Sequence, residues 1–121
     1  MVGAAGDAAT RIENRLGEPA ANPYLYMASQ IHAGLPGIVR RHMPPSATDA
    51  PYADAGLASG APIPATLGEA LAALQADDAM RDGFGADFLR YYCRVKAGEQ
   101  QRFDAAEDKL EFQRREYFGR I

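Results

Sequence analysis

Five of the eight prolines in this 121-residue chain fall between positions 42 and 65, among alanines, glycines and serines with no apolar period. Proline fixes φ and lacks an N–H, so it continues neither a helix interior nor a central strand. No single run of regular structure can therefore cross this stretch. It divides the chain into an N-terminal part and a C-terminal part that must pack through their own elements. Two dozen residues without periodicity are unusual inside a small compact domain. The stretch reads as a Pro-rich loop, either functional or packing on something outside the chain. At this length the chain makes one domain or a piece of a larger one.

Before the loop, Arg11, Glu13 and Arg15 alternate with Ile12, Asn14 and Leu16. At the two-residue period of a strand the three charges share one face. The spacing predicts a short strand over 10–16, ended by Gly17, Glu18 and Pro19. Asn22-Pro23 then opens a helix: Asn accepts an orphan backbone N–H, and Pro at the first helical position forfeits no bond. Leu25, Ala28, Ile31 and Leu35 form its expected inner stripe. Gly34 and Pro36 are expected to weaken, kink or end it, unless Ile38 and Val39 carry it one turn further to the basic pair Arg40-Arg41.

After the loop, Thr66-Leu67-Gly68-Glu69 has the form of a capping box. The helix it opens carries Leu67, Ala70, Leu71 and Leu74. A short acidic-started turn is expected from Asp77 to Arg81, broken by Gly83 and Gly85. A longer helix from Asp87 should turn Phe88, Tyr91, Tyr92 and Val95 inward, and a last one over 107–121 uses Leu110, Phe112, Tyr117 and Phe118. Eight of the eleven aromatic residues lie between Phe84 and Phe118, so this half carries its own packing material.

Charge and composition narrow the partners. A net charge of −3 lacks the basic excess of a phosphate-tracking nucleic-acid binder. No apolar run approaches a membrane span, and the N-terminus lacks the form of a signal peptide. A cytoplasmic protein without nucleic acid or membrane partners is expected. Cys93, the only cysteine, reads as a packing residue. His32 reads as a structural histidine, His42 and Arg114-Arg115 as solvated, Asp77-Asp78 as a cap, and Tyr91-Tyr92 as core.

Arg11, Glu13 and Arg15 remain as the candidate chemistry. Arg offers a planar fork of donors to phosphate or carboxylate oxygens, and Glu offers oxygens to a hard cation. From spacing alone, charges that merely solvate a strand face are the simpler reading.

The stretch TRIENRLGEPAANPYLYMASQIHAGLPG, with Arg11, Glu13, Arg15, Ala21, Asn22, Pro23 and Tyr24, resembles the C-terminal part of the glutamine synthetase catalytic domain. PIPATLGEALAAL is similar to that family's helix after a proline-rich loop, and the aromatic tail to its last helices. The resemblance covers nearly all of residues 1–121. It implies an α+β domain of which this piece is mainly α, one N-terminal strand followed by four or five helices. It also implies an ATP-dependent ligase that joins glutamate to ammonia, or to another amine, through a γ-glutamyl phosphate. Carried over, Arg11 would face the nucleotide phosphates, Glu13 would ligate Mg²⁺ or Mn²⁺, and Arg15 would bind the reacting carboxylate. A homo-oligomeric ring is implied for the parent. The family's other metal ligands and its N-terminal β-domain precede this motif, so a fragment inactive by itself is expected. Tyr52 lies in the loop where some members carry a nucleotidylated Tyr, but its surroundings match poorly. The competing reading is a stand-alone helical interaction module without catalysis.

Overall fold

A computed structural model describes residues 5–44 and 63–119. Tyr52 and most of the Pro-rich loop lie outside the described residues. Five helices follow one another: α1 (Pro23–Val39), α2 (Leu67–Ala76), α3 (Asp78–Phe84), α4 (Ala86–Ala105) and α5 (Lys109–Tyr117). No described helix is long and apolar enough to cross a membrane.

Each start has a local cause. The Asn22 side chain accepts from the backbone N–H groups of Tyr24 and Leu25, at 3.0 and 3.1 Å. Thr66 accepts from Glu69 at 3.2 Å, but Glu69 returns its bond to Ala65 N–H rather than to the cap residue. Asp77 closes α2 and caps α3, where its side chain accepts from Met80 at 3.0 Å. Asp108 caps α5 through Glu111 N–H at 2.9 Å. The expected turn at 77–81 is thus the first part of a seven-residue helix.

α1 runs through Pro36 and ends at Val39, one turn further on, with Arg40 as its cap. Its end is a Schellman closure in which His42 N–H reaches the Gly37 carbonyl at 2.9 Å and Arg41 N–H that of Ile38 at 3.1 Å. Arg41 takes the left-handed conformation this needs, with φ of 53°.

The strand expected over 10–16 is not formed. Among the described residues Arg11 makes an isolated bridge, and residues 12–18 form no regular ladder. A strand requires a neighbour for its N–H and C=O groups. Here Asn14 takes up one of them locally, its side chain accepting from Leu16 N–H at 3.0 Å.

α4 is the hub, packing against α2, α3 and α5, while α1 packs against α3. Leu89 and Cys93 of α4 and Phe112 of α5 are the buried apolar side chains among the described residues. Tyr91 and Val95, expected inward, are 69% and 49% exposed. The inner face of α4 is instead centred on Leu89 and Cys93. Ile31 and Leu35 of α1, also expected inward, are exposed, as are Leu110 of α5 and its C-cap Phe118 on either side of buried Phe112. A row of rings links α1 to α4: His32 meets Phe84 edge-on at 4.9 Å, Phe84 stacks on Phe88 at 5.4 Å, and Phe88 on Tyr92 at 6.0 Å.

The α4–α5 corner is polar. Glu99 is buried, accepting from Lys96 at 2.8 Å and from the Tyr117 hydroxyl. Burial raises the Glu99 pKa, but the bonds from Lys96 and Tyr117 and the nearby cations outweigh it, and the net shift is downward. Burial, and then donation to Glu99, pushes the Tyr117 hydroxyl up to about 12. Lys109 Nζ closes the end of α4, donating to the carbonyls of Phe103 and Asp104, both at 2.7 Å.

Two outcomes test this packing. A phenol whose pKa is raised on folding favours the fold below its unfolded pKa of about 10 and loses that contribution as pH rises through its folded value. The alkaline midpoint of helix loss by circular dichroism should therefore change in Tyr117→Phe. At neutral pH that variant should lose about 1–3 kcal/mol, because the Glu99 oxygen is left buried without this donor. The second concerns Gly83, where an added Cβ would lie 2.3 Å from His32 Cγ, whereas one at Gly34 meets nothing within 4 Å. Gly83→Ala should destabilise by about 1–3 kcal/mol through overpacking, and Gly34→Ala should stabilise by up to about 1 kcal/mol through helix propensity, both read by urea unfolding.

Candidate functional site

Residues 5–22 lead into α1 through two turns. Asp7 caps the first, its side chain accepting from Ala9 N–H at 2.8 Å and its carbonyl from Thr10 N–H at 3.0 Å. Glu18 makes the second, with its side chain on Ala20 N–H at 3.2 Å and its carbonyl on Ala21 N–H at 3.0 Å. Between them the chain is extended, and the alternation read from the sequence survives without a ladder.

Arg11, Glu13 and Arg15 converge on one side. Arg11 donates to Glu13 Oε1 from Nε at 3.1 Å and Nη2 at 2.6 Å. Arg15 donates to Oε2 from Nε at 3.0 Å and Nη2 at 2.6 Å. Arg11 Nη1 also reaches the Ala9 carbonyl at 3.2 Å. Glu13 is the least exposed of the three side chains, and Arg15 the most. The bonds from Arg15, and then Arg11, lower the Glu13 pKa, so the carboxylate is held ionised. Two cations around one anion leave a local charge of +1. An incoming phosphate or carboxylate would compete with Glu13 for the same donors.

The other edge of this segment faces α1. Asn14 Nδ2 donates to Gln30 Oε1 at 2.6 Å. A Cβ on Gly17 would sit 3.2 Å from Tyr26 Cζ and Oη, so the turn lies directly on that ring. The Tyr26 hydroxyl is buried without a hydrogen-bond partner among the described residues. These contacts set the motif relative to α1, and the sequence reading missed them. The signal was Asn14 itself, a polar side chain between Ile12 and Leu16 on the edge opposite the charges.

A single carboxylate supplies only one or two of the about six oxygen ligands of Mg²⁺, the rest coming from waters, substrate phosphates or further carboxylates. Among the described residues no group of three or more His, Cys, Asp or Glu side chains comes together. The described residues therefore do not by themselves fit Mg²⁺ or Mn²⁺. His32 is packed on Phe84, His42 lies exposed at the end of α1, and Cys93 is buried. None of these joins the Arg–Glu–Arg cluster.

Residues 2–115 match the model of the glutamine synthetase catalytic domain. The chain belongs to the glutamine synthetase family. It is 42% identical to a gamma-glutamylanilide synthase of Acinetobacter, over 98% of this chain and 25% of the relative. Identity to a glutamine synthetase of Vibrio alginolyticus is 39%, covering 87% of this chain and 24% of the relative. Human lengsin is 35% identical over 93% of this chain and 22% of its own length. The chain thus spans about a quarter of these relatives. No solved structure matches it.

The pairing around Glu13 is directly testable. Arg15→Gln should raise the Glu13 pKa toward the ordinary glutamate value of about 4.3, and Arg11→Gln should do so by less. Carboxyl ¹³C chemical shifts followed through an acid titration read both.

Proposed function

We propose that this chain supplies the Arg11–Glu13–Arg15 element of an ATP-dependent carboxylate–amine ligase of the glutamine synthetase type. The observation that carries the reading is the convergence of the three side chains, in a chain whose family is that of a ligase catalytic domain. The reaction has two displacements. A γ-carboxylate oxygen of glutamate attacks the γ-phosphorus of ATP, and ADP leaves. The amine nitrogen then attacks the acyl carbon, phosphate leaves, and the nitrogen gives up a proton.

Arg11 would neutralise charge on the nucleotide phosphates. Arg15 would orient the reacting carboxylate, its planar fork fixing direction as well as charge. Both donor sets are held on Glu13 in the resting arrangement. Substrate anions would draw the guanidinium groups off that carboxylate, leaving Glu13 able to serve as one metal ligand. The remaining ligands would come from outside the described residues. A divalent cation would supply charge neutralisation for phosphoryl transfer.

Identity to the gamma-glutamylanilide synthase favours a second acceptor class. An aromatic amine could take the place of ammonia in the second displacement, with the first unchanged. A ring assembly and a cytoplasmic setting belong to the same reading.

The test is a chimera in which this chain replaces the matched quarter of the Acinetobacter gamma-glutamylanilide synthase. Phosphate release from ATP, with glutamate and Mg²⁺ present, is followed with ammonia or aniline as acceptor. Turnover should appear in the chimera and be absent from the isolated chain. Arg15→Lys should cost about 10²-fold in kcat, the scale of misplacing a reacting group, and added Mg²⁺ should not restore it. Glu13→Gln should be partly restored by Mg²⁺. Full activity in Arg15→Lys, or substrate-dependent turnover by the isolated chain, would overturn the reading.

A further inference from the structure

A cleft of about 550 Å³ lies between α1 and α4, and side chains of all five helices line it. That volume falls within the ~300–1,000 Å³ of small-molecule sites. Phe84, Phe88 and Tyr92 form one wall, their rings stacked in sequence with interplanar angles of 24° and 22°. Leu25 and the ring of Tyr26 form the wall on α1. The Tyr26 hydroxyl contributes nothing to the cleft, because it lies under the Gly17 turn. Apolar walls held this far apart forgo dispersion contact with each other. A flat ring laid between them supplies that contact to both.

The floor is polar. Glu99 is buried, and its two oxygens accept from Lys96 at 2.8 Å and from the Tyr117 hydroxyl. Tyr117 has committed its only proton to that bond. Lys96 has not exhausted its donors. An ammonium carries three N–H bonds, and among the described residues Glu99 Oε2 is the acceptor it reaches. Its charge is balanced by Glu99 and lies 5.8 Å from the Tyr117 ring centroid. The floor therefore presents hydrogen-bond donors without uncompensated charge. It suits a neutral acceptor, since a second carboxylate there would be repelled by Glu99.

We propose that this cleft is a binding site for a neutral aromatic molecule of one or two rings, its ring body lying along Phe84, Phe88 and Tyr92 and its carbonyl oxygen accepting from Lys96. None of Arg11, Glu13 and Arg15 lines the cleft, and its chemistry is independent of the ligase reading.

The test uses three ligands with one ring in common. Fluoroacetophenone offers Lys96 a carbonyl, fluoroethylbenzene a methylene and fluorobenzoate a carboxylate. Each is titrated with the 121-residue chain and followed by ¹⁹F NMR. Fluoroacetophenone should bind saturably, with a Kd on the order of a millimolar or tighter. Fluoroethylbenzene should bind about tenfold more weakly, the scale of one hydrogen bond to a charged donor, and fluorobenzoate no better than fluoroethylbenzene. The backbone amides of Leu25, Phe88 and Lys96 should shift along with the fluorine signal. Lys96→Met should erase the preference for the carbonyl, and Ala21→Phe, which adds a ring at the cleft lining, should block the first two ligands. Where Lys96→Met does not fold, the carbonyl-against-methylene comparison in the unaltered chain still decides. No saturable binding, or equal binding of fluoroacetophenone and fluoroethylbenzene, would overturn the proposal. Tighter binding of fluorobenzoate would do the same, by making the site one for anions. The folded chimera should keep the preference for fluoroacetophenone. Loss of binding there would give the cleft to a segment of the larger catalytic domain and overturn the proposal.

Discussion

α4 organises the packing, because among the described residues it packs on three other helices and brings two of the three buried apolar side chains. What it gathers is thin for a chain of this length. A cleft of about 550 Å³ remains between α1 and α4, walled by Leu25, Tyr26, Phe88 and Tyr92 and floored by Glu99 and Tyr117. The aromatic row from His32 to Tyr92 spans this gap by edges and faces.

Polar bonds take over where apolar burial runs short. Glu99 is satisfied by Lys96 and Tyr117, and Arg102 reaches Glu116 across the α4–α5 corner at 3.0 Å. Such a cluster is costly to leave half-made, since removal of one donor strands a buried carboxylate. It therefore fixes the register of α5 on α4 more than it adds stability. α5 places only Phe112 in the interior, T-shaped on Phe103 at 5.8 Å.

The same shortage frames the candidate site. Glu13 is enclosed by its own arginines rather than by other elements, and the segment that bears it is tied to α1 through Asn14 and Gly17. Charge complementarity within five residues holds the cluster together without a regular ladder among the described residues.

Local rules made most of the helices legible from the sequence. Asn22, Thr66 and Asp77 cap where side-chain chemistry alone demands it, and the sharing of one face by Arg11, Glu13 and Arg15 follows from a two-residue period. Gly85, with φ of 85°, breaks the chain where a residue without Cβ is needed. Three features needed the tertiary structure. The strand over 10–16 depends on partners that no local signal provides. The inward choice of Leu89 and Cys93 over Tyr91 and Val95 depends on where α2 and α5 come to lie, since α4 is apolar over more than one stripe. The persistence of α1 through Pro36 depends on the closure at Arg41, where bonds from His42 and Arg41 back to Gly37 and Ile38 secure the turn beyond the proline. Spacing along a chain determines which residues can share a face; which face is buried is decided by neighbours distant in sequence.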